Sequence, residues 1–167
     1  MNLSIIVPVY NSSKILKTLV KRIKKNLRTK NYEIIFINDA SLDNSWNEIK
    51  KISKKNKKVK GINLSENFGQ HSAIFAGLKF AKGKKIITMD DDLQHPPESI
   101  KDMISKLNKY DLCYTTYMKR KHVFWKRSVS WINNIFSSFL FDKPIHVYLS
   151  SFRGFNVKLL NQIVKDR

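Results

Sequence analysis

The chain has 167 residues, which is enough for one domain with a substantial core and short for two. Its apolar content of 42% is ordinary for a folded protein and excludes disorder of the whole chain. The 32 Lys and Arg residues against 13 Asp and Glu residues give a formal net charge of +19, which favours anionic partners of any kind. Charge alone does not choose among nucleic acid, acidic lipid and phosphorylated substrate, because lysine runs are also typical of solvated helix faces.

Cys113 is the single cysteine, so the sequence offers neither an intramolecular disulfide nor a cysteine-based zinc site. The residues that follow Met1 lack the charged and hydrophobic segments of a signal peptide. A run of about eighteen uncharged apolar residues, as a bilayer-spanning helix needs, is also absent. We therefore expect a cytoplasmic protein that is either soluble or bound to a membrane surface.

Runs of apolar, β-favouring residues alternate with amphipathic segments. The predicted strands are Leu3–Val9, Tyr32–Ile37, Val59–Leu64, Lys85–Met89 and Leu112–Thr116. Helices are predicted over 15–27, from Ser41 or Asp43 through Ile52, over 69–81 and from Pro96 onwards. The polar residues at 11–13 are suited to cap the first of these helices. Such alternation favours right-handed βαβ crossovers and a mainly parallel sheet.

Each of four predicted connections begins with polar or acidic residues. These clusters are Tyr10–Asn11, Asn38–Asp39, Asn67–Gly69 and Asp90–Asp92. In parallel sheets ligands bind outside the carboxyl ends of the strands, so we expect the four clusters to meet at one rim.

The triplet Asp90–Asp92 follows a strand that is predicted to be buried. Adjacent carboxylates disfavour one another's ionisation, and removing them from water costs several kcal/mol each. A hard divalent cation with oxygen ligands removes both penalties. The triplet therefore predicts a metal site.

Two common phosphate-binding devices are absent: a Gly-x-Gly-x-x-Gly turn after the first strand and a Gly-Lys-Ser/Thr loop. This disfavours a dinucleotide oxidoreductase and a P-loop hydrolase. Asp39, just past the second strand, is placed to accept a hydrogen bond from a base or a ribose, or else to cap the following helix.

Four segments in order resemble a known family. Ile5–Asn11, Ile37–Asp43 and Asp90–Glu98 are similar to the signature segments of family-two inverting glycosyltransferases. Asn67–Ala73 resembles the branch that moves sugars onto polyprenyl phosphates, which includes dolichyl-phosphate mannose synthase and bacterial undecaprenyl-phosphate sugar transferases. The resemblance implies an α/β GT-A fold, a Rossmann-like and mainly parallel sheet flanked by helices, with a C-terminal amphipathic helix.

The resemblance also implies roles for individual positions. Asp90 and Asp92 match the Asp-x-Asp pair that holds Mg²⁺ or Mn²⁺, and Gln94 lies where this branch supplies a further metal ligand. The implied nucleotide-binding residues are Pro8, Tyr10, Asn11, Asp39 and Asp91. Asp92 and Arg153 are the implied catalytic residues; Arg153 would grip phosphates, and without the resemblance it would be an ordinary surface residue.

The implied reaction transfers a sugar from a nucleotide-sugar donor to a polyprenyl phosphate at the membrane, with no role for nucleic acid. Near Val147–Leu149 the chain lacks the acidic residue and glycine usual in the family. A phosphate, largely ionised at neutral pH, needs little help from a base, so this difference favours a phosphate acceptor over a sugar hydroxyl. The alternatives are a transferase that extends a surface polysaccharide and a catalytically silent donor-binding module.

Residues 122–142 predict a basic, aromatic amphipathic helix with Trp131 and Phe136 on one stripe. The stripe would lie in the headgroup layer at the inner face of the cytoplasmic membrane, or pack in the core or against a partner subunit, which leaves an oligomer open. The predicted organisation is a nucleotide-sugar-binding core over 1–121, this helix, and a final transferase segment over 143–167. Relatives usually continue beyond this point, so we expect a truncated form, which is either a naturally short form, a split gene product or an inactive remnant.

Overall fold

The computed structural model describes residues 1–27, 29–115 and 151–165. Its strands are β1 (Leu3–Val9), β2 (Tyr32–Asn38), β3 (Val59–Asn63), β4 (Lys85–Thr88), β5 (Leu112–Tyr114) and β6 (Arg153–Asn156). Its helices are α1 (Leu16–Asn26), α2 (Ser45–Lys55), α3 (Gln70–Phe80), α4 (Ile100–Lys106) and α5 (Val157–Lys165), and a short 3₁₀ turn (Pro97–Ser99) precedes α4. The strands form one sheet in the order β3-β2-β1-β4-β6-β5.

The predicted parallel sheet is confirmed. β1 pairs in parallel with both β2 and β4, and β2 pairs in parallel with β3. Every residue of β1 and β2 is buried, which explains their continuous apolar sequences, since helices cover both faces of the sheet. Val9 lies opposite Asn38, so the carboxyl ends of β1 and β2 reach the same edge.

The helices form one layer on each face of the sheet. α1, α2 and α4 cover one face through residues such as Leu19, Ile49 and Met103. α3 and α5 contribute Ala73, Leu78 and Leu160 to the apolar cluster on the other face.

β6 is a strand that sequence patterns did not predict. It pairs antiparallel with β4, from Lys85 opposite Asn156 to Thr88 opposite Arg153, and lies between β4 and β5. Its four residues include Gly154, where a Cβ atom would lie 2.7 Å from the Met103 sulfur, so α4 packs directly on the glycine backbone. Such a short strand has no readable alternation, and its pairing joins distant parts of the chain.

The predicted capping of α1 by residues 11–13 is wrong. The residue that precedes α1 is Ile15, and no side chain caps the helix. The Asn11 side-chain oxygen instead accepts hydrogen bonds from the backbone N–H groups of Leu42 (2.8 Å) and Asp43 (3.3 Å). The Ser13 N–H donates to the Asp43 carboxylate at 3.0 Å. These polar residues tie the β1–α1 loop to the β2–α2 loop.

Asp43 is also joined to the start of α2, where its second oxygen accepts from the Ser45 N–H at 2.9 Å. Burial would raise the pKa of Asp43, but hydrogen bonds from Ser45 and Ser13 outweigh it and lower the pKa to about 2. The carboxylate therefore stays ionised and keeps the two loops joined.

By its internal contacts the chain divides into two units, one of residues 1–113 and 151–167 and the other of residues 114–150. The site described below belongs to the first unit. The helix predicted over 122–142 lies outside the described residues. Among the described helices, none has the length and apolarity needed to cross a bilayer.

Candidate functional site

A cleft of about 360 Å³ opens at the carboxyl edge of the sheet. It lies among the ends of β1, β2 and β4 and the start of α3. Its lining residues are Pro8, Val9, Tyr10, Asp39, Asn67, Gly69, Gln70, Asp90, Asp91 and Asp92. The four polar clusters predicted to share one rim therefore do so.

Left-handed backbone conformations surround this cleft. The φ angles are 55° at Asn11, 50° at Ala40, 62° at Leu93 and 83° at Gly69. The first three residues carry a Cβ atom, which makes this conformation costly, and each follows the end of a strand. Their conformations turn the chain sharply at the rim, and the surrounding hydrogen bonds hold them there.

Asp90 is held from two sides. One carboxylate oxygen accepts from the Gln70 side-chain amide at 2.5 Å, and the other accepts from the Ser151 hydroxyl at 2.6 Å. Ser151 is itself fixed, because the Thr88 hydroxyl donates to its backbone carbonyl at 2.7 Å. The orientation of Asp90 thus depends on α3 and on the residues just before β6.

Asp91 joins the end of β4 to the end of β1. Its carboxylate accepts from the Tyr10 N–H at 3.2 Å and from the Ser12 hydroxyl. Burial raises the pKa of Asp91 above its ordinary value, the Asp92 charge adds to the rise, and the two hydrogen bonds oppose it. Asp91 therefore shapes the cleft wall by fixing Tyr10.

Asp92 is the exposed member of the triplet. One of its oxygens accepts from the Gln94 backbone N–H at 2.9 Å in the turn made by Leu93. Among the described residues, the other oxygen has no hydrogen-bond donor and is open for a ligand. The Gln94 side chain is exposed and is not among the residues that line the cleft.

Asp39 is only 3% exposed, and both of its oxygens are bound by the β3–α3 loop. They accept from the N–H groups of Phe68 and Gly69, each at 2.9 Å. Asp39 therefore sets the position of the loop that forms one wall of the cleft. Pro8 and Tyr10 line the cleft as well, whereas the Asn11 side chain is directed to the neighbouring loop.

Arg153 lies at the start of β6, opposite Thr88 and close in register to Asp90. It is partly buried and is not a cleft-lining residue. The structure brings its backbone near the end of β4 without placing its side chain in the cleft.

His95 packs within the core beneath the triplet. Its ring is 1% exposed and lies 5.2 Å from the Phe152 ring, and its Nδ1 accepts from the Asp90 N–H at 3.3 Å. Burial lowers the pKa of His95 despite the nearby charges of Asp90 and Asp92. The ring therefore packs in the core as a neutral imidazole.

The cleft is acidic in a chain of net charge +19. Its described lining includes four carboxylates and no lysine, arginine or histidine. Within the described residues, no three His, Cys, Asp or Glu side chains are grouped as a complete metal cage. Mg²⁺ is typically bound by one or two carboxylates together with substrate phosphates, so the carboxylates of Asp90 and Asp92 have the chemistry to hold such an ion without a full cage.

Sequence reasoning missed Gln70 and Ser151 as partners of Asp90. Gln70 lies in a segment that carries the family resemblance, but no local pattern shows that an amide at the start of a helix and a hydroxyl before a strand meet one carboxylate. Only the tertiary structure joins residues so far apart in the chain.

The chain is 36% identical over 164 residues to the uncharacterized glycosyltransferase YkcC of Bacillus subtilis, which covers 96% of this chain and 51% of YkcC. The chain thus spans about half the length of this curated relative.

Solved structures share the fold. S. aureus TarS in complex with UDP-GlcNAc superposes with a TM-score of 0.70 at 23% identity, over 98% of this chain and 48% of TarS. Glucosyl-3-phosphoglycerate synthase from Mycobacterium tuberculosis, in complex with Mn²⁺, UDP and glucosyl-3-phosphoglycerate, gives 0.73 at 15% identity, over 95% and 57% of the two chains. These neighbours confirm the GT-A fold. The family model for glycosyl transferase family 2 matches residues 4–164, and the chain belongs to this family.

Proposed function

We propose that this chain forms the donor-binding part of an inverting glycosyltransferase that moves a sugar from a nucleotide-sugar to a polyprenyl phosphate. The observation that carries the proposal is the acidic cleft at the carboxyl edge of the sheet, in a family-two chain whose overall charge is strongly positive. An acidic cleft by itself repels a nucleoside diphosphate. A bound cation would therefore have to lie between the carboxylates and the diphosphate.

Asp90 and Asp92 would hold Mg²⁺ or Mn²⁺, with Gln94 as a further ligand. When bound, the ion offsets the charge that develops on the departing diphosphate. Asp92 has an open oxygen at the cleft, and Asp90 is oriented by Gln70 and Ser151. The Mn²⁺ bound in the mycobacterial neighbour supports a divalent ion.

The nucleotide would lie against Pro8 and Tyr10, which line the cleft. Asp39 and Asp91 contribute by fixing the β3–α3 loop and the Tyr10 backbone, and a carboxylate oxygen of Asp39 would accept from the base once the loop moves away from it. Asn11 acts through the neighbouring loop, since its side chain binds there. UDP-GlcNAc bound to TarS supports a nucleotide-sugar as the donor.

The proposed step is one in-line displacement. An acceptor phosphate oxygen forms a bond to the sugar C1 while the bond from C1 to the diphosphate oxygen breaks on the opposite side, and the nucleoside diphosphate leaves with the electron pair. Because a phosphate monoester is largely ionised at neutral pH, no side chain must remove a proton from it. Arg153, near the end of β4, is proposed to grip phosphate after a rearrangement of its side chain.

With a polyprenyl phosphate as acceptor, the reaction would take place at the inner face of the cytoplasmic membrane. A peripheral contact through the aromatic residues of 122–142 is proposed for this reason. In liposome flotation, the proposal expects Trp131→Ser to bind less than the wild type, and equal flotation would contradict the contact.

Turnover tests the function. Nucleotide release from a panel of UDP-, GDP-, CMP- and dTDP-sugars is measured with Mn²⁺ and undecaprenyl phosphate, for the wild type and for Asp92→Asn. The proposal expects a lipid-linked sugar product from the wild type alone. Transfer to sugar hydroxyls but never to a lipid phosphate would contradict the acceptor, and tight donor binding without any turnover would show a silent binding module.

A further inference from the structure

The lysines of the described chain are concentrated on the two neighbouring helices α1 and α2. Nine lysines, all exposed, lie in or beside these helices; we name them the basic face. They are Lys14, Lys17, Lys21, Lys24, Lys25, Lys50, Lys51, Lys54 and Lys55. α1 and α2 pack on the same side of the sheet and are joined by an ion pair between Lys17 and Glu48 at 2.9 Å.

Carboxylates do not balance this charge. Residues 14–27 and 43–55 contain two acidic side chains: Asp43, whose carboxylate accepts from the N–H groups of Ser13 and Ser45, and Glu48, which Lys17 and Lys51 contact at 2.9 and 2.8 Å. Glu98 approaches the same layer and pairs with Arg22 at 2.9 Å. Among the described residues, Glu48 and Glu98 are the carboxylates that form ion pairs with the two helices.

Other helices of the same unit lack this concentration. α4 mixes Lys101 and Lys106 with Asp102 over seven residues, and α3 contains a single lysine, Lys79, among mostly apolar residues. Among the described helices, α1 and α2 therefore carry the densest positive charge. A field of this kind attracts an extended negative surface.

The chemistry of the basic face indicates which kind of negative surface it binds. Nucleic-acid recognition relies on arginine forks and on exposed aromatic platforms for stacking. Arg22, the one arginine within α1 and α2 themselves, is engaged by Glu98, and Trp46 packs over Gly61 with Lys50 at 5.8 Å from its ring. Lysines on flexible stems act as point charges and suit a surface of many mobile single charges, such as acidic lipid headgroups.

We propose that the basic face docks the protein on an acidic lipid bilayer. A shallow depression of about 260 Å³ lies on it, lined by Asn44, Asn47, Lys50, Lys51 and Lys54, with room for headgroup phosphates. The inference does not depend on the proposed transferase activity, since it rests on the charges of two helices outside the cleft.

Vesicle binding with matched charge variants tests the proposal on the full chain. The face variant replaces Lys21, Lys24, Lys54 and Lys55 by glutamine. The control variant removes the same charge outside the layer of α1, α2 and α4, through glutamine at Lys79, Lys82, Lys84 and Lys158, all exposed. Co-sedimentation is measured with phosphatidylcholine vesicles and with vesicles that also contain phosphatidylglycerol, at low and at high salt, and circular dichroism melts confirm that each variant folds.

The proposal expects the wild type to bind the acidic vesicles at low salt and to be released by high salt. The face variant should bind about a hundredfold more weakly, and the control less than about threefold more weakly, because each lysine near an acidic surface contributes separately. Equal losses in the two variants would show an effect of net charge alone and overturn the docking face. Unchanged binding of the face variant, or tighter binding to single-stranded nucleic acid than to acidic vesicles, would overturn it too.

Discussion

The two edges of the sheet treat carboxylates in opposite ways. At the amino edge Glu33, fully buried, is surrounded by donors: the Ser4 hydroxyl at 2.7 Å, the Lys82 N–H at 2.8 Å and the Lys60 ammonium at 2.6 Å. The Ser4 hydroxyl in turn accepts from the Gly83 N–H at 2.8 Å. This network is complete within the chain, so its role is structural.

At the carboxyl edge three neighbouring aspartates and Asp39 face one cleft without a basic residue in its described lining. The donors that reach them are neutral amides and hydroxyls. Left-handed backbone is also concentrated there, at Asn11, Ala40 and Leu93. The carboxyl edge has strained backbone and no positive side chain beside its carboxylates, which is typical of a site that binds a positively charged ligand. The amino edge, where the carboxylate is fully paired, contributes to stability.

The largest effect should come from Asp92→Asn. Loss of the exposed carboxylate at the cleft removes a proposed ion ligand, so we expect sugar-nucleotide turnover to fall by about a thousandfold or more. Steady-state nucleotide release measures it. Asp102→Asn on α4 changes the same charge far from the cleft and should leave turnover intact; equal loss in both variants would contradict the role of Asp92.

Ser151→Ala should have a smaller effect at the same edge. Without the hydroxyl that orients Asp90, we expect the Mn²⁺ affinity to fall by about 10- to 100-fold, as is typical for residues that position metal ligands. Titration of Mn²⁺ followed by electron paramagnetic resonance reports the affinity directly. Ser105→Ala on the exposed side of α4 is the matched control, and an unchanged affinity in Ser151→Ala would refute the positioning role.

Glu33→Gln should weaken the fold by about 2 kcal/mol at neutral pH, because a buried carboxylate with several donors is lost. Burial would raise the pKa of Glu33, but hydrogen bonds from Lys60, Ser4 and Lys82 outweigh it and hold the pKa below its ordinary value. Because folding lowers this pKa, the ionised Glu33 stabilises the fold at pH values above the unfolded pKa of about 4.3. This contribution is lost as the pH falls from there through the folded-state pKa.

Urea unfolding at several pH values measures this prediction. The difference between wild type and Glu33→Gln should be constant from neutral pH to about pH 5 and shrink below about pH 4. Asp102→Asn, an exposed carboxylate in the same unit, should show little difference at any pH. A gap that widened in acid would contradict the assigned direction of the shift.

The smallest effect should come from Ala40→Gly. A left-handed alanine costs about 1–2 kcal/mol, and glycine gives back part of this through greater freedom of the unfolded chain. We expect the free energy of unfolding to rise by about 0.5 kcal/mol, measured by thermal denaturation. Lower stability would show that Ala40 is not strained.

Local patterns predicted the parallel part of the fold because buried parallel strands and amphipathic helices leave signals within a few residues. The bounds of β1 were predicted without error, and the rim of the site followed from the rule that parallel strands end together. β6 could not be predicted, since four residues with a glycine have no periodicity and pair with a strand far away in sequence.

Side-chain partners were less predictable than elements. Asn11 has the composition of a helix cap, yet it binds the next loop, because the left-handed turn directs its side chain there. Likewise, Asp90 was assigned correctly to the rim, but nothing local indicates that Gln70 and Ser151 fix it.

The most direct test is calorimetric titration of the wild-type protein with UDP and GDP, in the presence of Mn²⁺ and after its complete removal by a chelator. If the carboxyl edge depends on a cation to receive a diphosphate, at least one nucleotide binds with the ion and binding is lost without it. Equal affinity in both conditions would contradict the account of the acidic cleft.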